Sequence, residues 1–226
     1  NEDQQRIALV FGTGEIVRSS SDSAWDMGES PNQLTPHTIR KAVDGILKDP
    51  SIKAVIFRID SPGGSPVASD AILHSIQRLK AKKIPLIISM GNAAASGGYW
   101  ISASADHILA SPLTITGSIG VVGGKISFAG LAEKLKVNVG IVTEGSNSQM
   151  WSQVVPYTPA QWDTLQKNLD RLYQNFLNIV IQGRKLTPEH VREVAKGRAW
   201  LGFEAREFGL VDEIGGIESA LSKAKS

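Results

Sequence analysis

Apolar positions along this chain follow two alternating rhythms. Short continuous runs read as strands: "RIALVF" (Arg6 to Phe11), "KAVIFRID" (Lys53 to Asp60), "PLIISM" (Pro85 to Met90), "HILA", "GSIGVV" and "VNVGIV". The first of these, ended by Gly12 and Gly14, reads as a buried strand. Between the runs, apolar residues recur three and four apart. Ile39, Val43, Ile46 and Leu47 form one such stripe, and Ile72, Leu73, Ile76 and Leu79 a second. A third runs from Pro159 to Ile181, with Trp162, Leu165, Leu169, Leu172, Phe176 and Ile179 on one face. Thr35-Pro36 and Ser65-Pro66 announce the first two helices with a capping hydroxyl and a first-turn proline, and Thr187-Pro188-Glu189 announces another. Ser96 to Ser104 and "AGLAEKL" also read as helical, and "SSSDSAWDMGESPNQ" as a polar loop.

Helices that alternate with short, uninterrupted apolar strands predict an α/β fold, a mostly parallel sheet flanked by helices. In such sheets reactive groups collect where strands end and helices begin. Two loops fall at such places, Ser61 to Ser65 and Gly91 to Gly97. No internal repeat, low-complexity tract or linker divides the 226 residues, 42% of which are hydrophobic, enough for one substantial core.

Charge narrows the partners. With 24 Lys+Arg against 22 Asp+Glu, a net charge of +2 gives no electrostatic case for nucleic acid. The densest basic run, "RLKAKK", ends a predicted helix, where cations complement the dipole. The chain has no cysteine, which excludes disulfides and thiol catalysis. The four histidines, His37, His74, His107 and His190, are scattered without metal-ligand spacing, so no metal or cofactor is expected. No apolar run is long enough to span a membrane, and "NEDQQRIALV" does not read as a signal peptide. The expectation is a soluble chain or a soluble piece of something larger.

Candidate chemistry centres on "NAAASGGYW", Asn92 to Trp100. Strand, small residues, serine, two glycines and helix is close to the nucleophile-elbow layout, although Ala94 stands at the first glycine's place in G-x-S-x-G. Small neighbours let a substrate approach the Ser96 hydroxyl, and the Gly97 N–H is placed to meet an oxyanion. The alternative is a serine N-cap on a tightly packed helix. The glycines of "DSPGG" either expose backbone N–H groups in a nest or make a plain turn. No G-K-[ST] follows, so this is not a phosphate loop.

Taken in order, "IFRIDSPGG", "AAASGGYWISASAD", "TGSIGVVG" and the tail "GRAWLGFEAREFGLVDEIGGIESAL" resemble the signal peptide peptidase A (protease IV) family of self-compartmentalising serine proteases. The resemblance covers nearly the whole chain. It implies the ClpP/crotonase-like fold of stacked βα units, here one peptidase domain over residues 1–226 with a helical C-terminal section, 159–226. It implies that Ser96 is the nucleophile, that Gly63 and Gly97 supply oxyanion N–H groups, and that the substrates are remnant signal peptides and other short apolar peptides. The tail becomes a structural helix-turn-helix with Trp200 and Leu210 in its core. A homo-oligomer, a tetramer by resemblance, is expected at the bacterial inner membrane, with this domain on the periplasmic side.

The chain departs from the family at the general base. The family works with a Ser-Lys dyad, whose lysine lies just past a glycine after the run matching "VNVGIV". Here that segment is "TEGSNSQMWS", Ser148 stands at the lysine's place, and no Lys or Arg occurs between Lys136 and Lys167. In long, duplicated members the amino-terminal half carries the lysine and the carboxy-terminal half the serine. The resemblance therefore implies a serine-bearing C-terminal half, inactive alone, whose base comes from a lysine-bearing N-terminal half or an adjacent subunit. Lys125 and His107 are weaker candidates within the chain; His107 also reads as a satisfied residue at a strand start, and Asp60 as a structural residue at a strand end. Met150 and Trp151 either line a substrate groove or pack against a neighbouring subunit. Two competing functions remain: a catalytically silent half that shapes a protease chamber, and a crotonase-like acyl-thioester enzyme. The second finds no acidic residue between Ser96 and Asp106 to support it.

Overall fold

The alternation is realised in a computed structural model that describes residues 5–19 and 33–226. In chain order the elements are β1 (Arg6–Thr13), β2 (Glu15–Ile16), β3 (Gln33–Leu34), α1 (Pro36–Lys48), β4 (Ile52–Ser61), α2 (Pro66–Ala81), β5 (Leu86–Ala95), α3 (Gly97–Ser102), β6 (His107–Ala110), β7 (Ile115–Gly117), α4 (Ala129–Lys134), α5 (Pro159–Arg184), α6 (Pro188–Val194), β8 (Ala199–Leu201), α7 (Gly202–Glu207), β9 (Glu213–Ile214) and α8 (Ile217–Lys225). Two compact units result: residues up to Gly120 together with Asn175–Ser226, and Val121–Gln174.

In the first unit the sheet order is β1-β4-β5-β6-β9, with every one of these pairs parallel. β5 forks. Its first half, Ile87 to Ser89, pairs with β6, and its last three residues, Ala93 to Ala95, pair with β7. β8 then adds antiparallel to β7. Both faces are covered. Ala54, Ile56, Ile87 and Leu109 pack with Ala220 of α8, while Val55, Phe57 and Ile59, which alternate to the other face, are buried as well. The proline-led helices form as expected: Thr35 Oγ1 accepts from the Thr38 N–H at 3.2 Å and Ser65 Oγ from the Ala68 N–H at 3.4 Å. Ile39, Val43 and Ile46 of α1 and Ile72, Leu73, Ile76 and Leu79 of α2 are buried. The short α3 is wholly buried. Its Tyr99 hydroxyl donates to the Leu210 carbonyl at 2.9 Å, and burial pushes the phenol up, so it stays protonated as that donor. Trp100 meets Phe176 with ring centroids 4.7 Å apart.

The second unit contains α4 and the first part of α5. There Tyr157 and Trp162 meet at 5.7 Å between centroids, and Lys125 lies 4.3 Å over the Tyr157 ring.

Several expectations are corrected. β1 is an edge strand rather than a buried one: Phe11 is 60% exposed and Leu9 46%. "GSIGVV" and "VNVGIV" form no strand; the strand there is β7, which ends at Gly117. A run of apolar residues is strand-like only when a neighbour supplies the ladder, and neither run has one among the described residues. The loop expected from Gly91 is strand through Ala95, because β7 extends the pairing of β5. The α3 helix is shorter than expected, ending at Ser102. The tail is strand-helix-strand-helix (β8, α7, β9, α8) rather than a helix-turn-helix; Leu210 is buried, and Trp200 is half-buried against Phe208 at 4.6 Å. Trp162 of the long helix is exposed. The polar loop from Ser19 to Gln33 lies outside the described residues apart from its two ends.

Gly183 sets the closest approach of α5 to the end of α3. A Cβ there would lie 2.2 Å from the Ala103 carbonyl oxygen, whereas one at Gly45 in α1 would meet nothing within 4 Å. Helix propensity alone favours alanine at both by about 1 kcal/mol, but overpacking against backbone costs about 1–3 kcal/mol. Thermal unfolding followed by circular dichroism is expected to show a higher Tm for Gly45→Ala and a Tm lower by several degrees for Gly183→Ala.

Candidate active site

The site is built where β5 ends. Ala93, Ala94 and Ala95 are small enough for β7 to lie alongside, and two hydroxyls clamp it there. Thr114 Oγ1 donates to the Gly91 carbonyl and Thr116 Oγ1 to the Ala94 carbonyl, each at 2.7 Å. The Ser96 N–H donates to the Gly117 carbonyl at 2.9 Å, so the fork carries the strand up to the serine. Asp60 braces the last stretch of β5, accepting from Asn92 Nδ2 at 3.0 Å and from the Ala93 N–H at 3.1 Å. It is the structural residue expected at a strand end.

Ser96 then departs from regular backbone. It is the N-cap residue of α3, yet its φ is +51° and ψ −118°, and its side chain makes no capping hydrogen bond. An ordinary serine cap has extended backbone and accepts from the first turn, so the capping alternative fails on both counts. A left-handed serine is strained by about 1–3 kcal/mol and persists only where its surroundings over-determine it. From Ala94 to Ala103 every residue but Ser96 is buried. Its hydroxyl has no hydrogen-bond partner among the described residues.

The glycine turn after β4 supplies the surroundings. Gly63 has φ +108° and Gly64 φ +148°, conformations that favour glycine. A Cβ on Gly63 would lie 2.7 Å from the Gly97 nitrogen, 2.7 Å from Ser96 Cβ and 2.8 Å from the Ala95 oxygen. The structure thus brings Gly63, Ser96 and Gly97 together. The Gly63 N–H donates to Ser61 Oγ at 3.2 Å, whereas the N–H groups of Gly64 and Gly97 have no partner among the described residues. Gly64 is held by β2: the Ile16 N–H donates to the Gly63 carbonyl and the Ser65 N–H to the Ile16 carbonyl, both at 2.8 Å. A strained hydroxyl flanked by unpaired N–H groups at a helix start can meet an electrophilic carbonyl and stabilise negative charge developing on its oxygen.

Two contributors escape a reading of the sequence, Ile16 and the threonine pair. Ser118 follows β7 with φ +48°, its N–H donates to the Arg198 carbonyl at 2.8 Å, and its hydroxyl has no partner among the described residues. "TITGS" holds the signal, two threonines in strand alternation before a glycine and a serine.

Within the same unit, His107 lies elsewhere. His107 pairs with Ile87 at the opposite end of β5, eight residues and roughly 26 Å of strand from Ala95, and its Nε2 is 3.0 Å from Glu213. In the Val121–Gln174 unit, Lys125 Nζ donates to the Gln149 carbonyl at 3.4 Å, and Ser148 Oγ to the Gly145 carbonyl at 2.7 Å. Met150 is buried and Trp151 exposed.

A sequence model of "Peptidase family S49" matches residues 78–226. Among similar proteins, "Protease 4" of Haemophilus influenzae is 40% identical over 97% of this chain and 34% of its own length. "Serine protease SPPA, chloroplastic" of Arabidopsis thaliana is 32% identical over 98% of this chain and 32% of its own length. "Putative signal peptide peptidase SppA" of Enterococcus faecium is 37% identical over 80% of this chain and 52% of its own length. The chain spans about a third of the length of the first two.

The close fit at Gly63 gives a direct test. Gly63→Ala forces a left-handed alanine and three backbone or serine contacts under 3 Å, whereas a Cβ at Gly124 meets nothing within 4 Å. Gly63→Ala is expected to lower the Tm by several degrees, from a cost of about 1–3 kcal/mol, and Gly124→Ala to leave it within a degree or two.

Proposed function

The chain belongs to peptidase family S49, and on that premise we propose that it is the serine-bearing half of a Ser-Lys endopeptidase acting on remnant signal peptides and other short apolar peptides. The observation that carries the reading is Ser96 itself, a strained, uncapped, partly exposed serine on a strand-to-helix turn. Its Oγ attacks the scissile carbonyl. The Gly97 N–H faces the oxyanion, with a second N–H from the Gly63–Gly64 turn; Gly64's is unpaired, and Gly63's becomes available if it leaves Ser61.

A serine is a weak nucleophile until a base takes its proton. No ionisable group is hydrogen-bonded to Ser96 among the described residues. We assign the base to a lysine outside this chain, on an N-terminal half or an adjacent subunit, and Ser118 to a second hydroxyl able to accept a hydrogen bond from the incoming amine. The names and lengths of the relatives support a longer protein, in which residues 1–226 make one C-terminal domain of a homo-oligomer, tetrameric by family resemblance. We place that protein at the bacterial inner membrane with this domain on the periplasmic side; no helix among the described residues is long and apolar enough to cross a membrane. Of the two residues expected at a peptide groove, Trp151 is exposed and stays a groove candidate, whereas Met150 is buried.

Turnover of a fluorogenic apolar peptide tests the assignment. In the assembled protein Ser96→Ala is expected to lower kcat by several orders of magnitude without changing the Tm by more than a few degrees. The purified chain alone is expected to show no Ser96-dependent turnover until the lysine-bearing half is added. Full activity of the alanine variant ends the peptidase reading. Assembly without activity from either protein favours a silent structural half, and robust hydrolysis by the chain alone removes the external base.

A further inference from the structure

Two backbone stretches lack the neighbour that strands require. β1 lies at the edge of the sheet, paired with β4 on one side and with no strand on the other among the described residues. Its Leu9 and Phe11 side chains are exposed on one face. In the Val121–Gln174 unit, the segment Val137 to Glu144, "VNVGIVTE", is strand-like in composition yet forms no strand. From Asn138 to Glu144 no backbone N–H or carbonyl is hydrogen-bonded among the described residues, and Val137, Val139, Ile141 and Val142 are exposed. A free edge and an unpaired, β-branched segment are each a template for strand addition.

We propose that this segment adds as an antiparallel strand to the β1 edge of a second copy of this chain. Charge selects the direction. The segment runs from Lys136 to Glu144, and β1 from Arg6 toward Glu15. Antiparallel addition sets Lys136 beside the Gly14-Glu15 end and Glu144 beside Arg6, which already pairs with Asp49 at 2.7 Å, whereas parallel addition brings Glu144 against Glu15, so the Glu15 end decides the direction. In that register Leu9 faces Ile141, Phe11 faces Val139 and Thr13 faces Val137, so the exposed apolar residues of both strands share one face. The contact joins two different patches, so it is heterologous: each copy offers one of each, and repetition gives a ring or a chain rather than a closed pair. The inference stands apart from the chemistry proposed for Ser96.

The absence of cysteine makes disulfide mapping clean. Phe11→Cys and Val139→Cys are made as separate full-length proteins, mixed, and oxidised. The expected result is a reducible dimer in the mixture, at least tenfold above that in either protein alone. Phe11→Cys mixed with Val142→Cys, whose side chain faces the opposite side, is expected to stay at background. Leu9→Cys with Ile141→Cys provides a second pair should Phe11→Cys fold poorly. Absence of mixed dimer from both pairs overturns the proposal. So does cross-linking of Val139→Cys with itself as efficiently as with Phe11→Cys, since that is an isologous contact of the segment with its own copy.

Discussion

The contact on which the rest depends is between two backbones, the glycine turn after β4 and the serine turn after β5. Gly63 presents bare Cα to the Ser96–Gly97 peptide at a distance no side chain tolerates. That proximity gathers the unpaired Gly64 and Gly97 N–H groups beside the serine turn. It also over-determines Ser96: φ +51° is sustained because the Gly117 carbonyl holds its N–H from one side, α3 begins at its carbonyl, and the glycine turn closes the other. Relaxing any one of these lets the serine fall back to an ordinary cap.

Holding two turns that close requires a stiff frame. The fork of β5 provides it, because one strand is gripped by β4 along most of its length and by β6 and β7 in succession on its other side. The threonine hydroxyls that tie β7 to β5 remove the play where the fork opens. The buried α3, with Tyr99 bonded to Leu210 and Trp100 on Phe176, fixes the helix behind the serine. Stability and site geometry therefore rest on the same residues, and substitutions in this frame are expected to affect both.

Much of this is legible in the residues. Thr35-Pro36, Ser65-Pro66 and Thr187-Pro188 mark helix starts because the cap and the proline act locally. Ser96 and the glycines of "DSPGG" stand out because only small residues permit such close approach. What escapes is set by distant partners. An apolar run has the same appearance at a sheet edge as in its centre, so the exposure of β1 is invisible. "GSIGVV" and "VNVGIV" carry strand composition without a ladder. The fork of β5 comes from β7 arriving some twenty residues later, which is why the threonine alternation in "TITGS" takes on meaning only once β7 lies beside β5.

The central claim is that Ser96 is held as a nucleophile. A serine-reactive fluorophosphonate applied to the assembled protein, followed by peptide mapping with mass spectrometry, tests it most directly. The account predicts one adduct per chain, on the Ser96 hydroxyl, lost in Gly63→Ala if that variant displaces the serine turn. An adduct on Ser118 or on any other serine, with Ser96 unmodified, would contradict it.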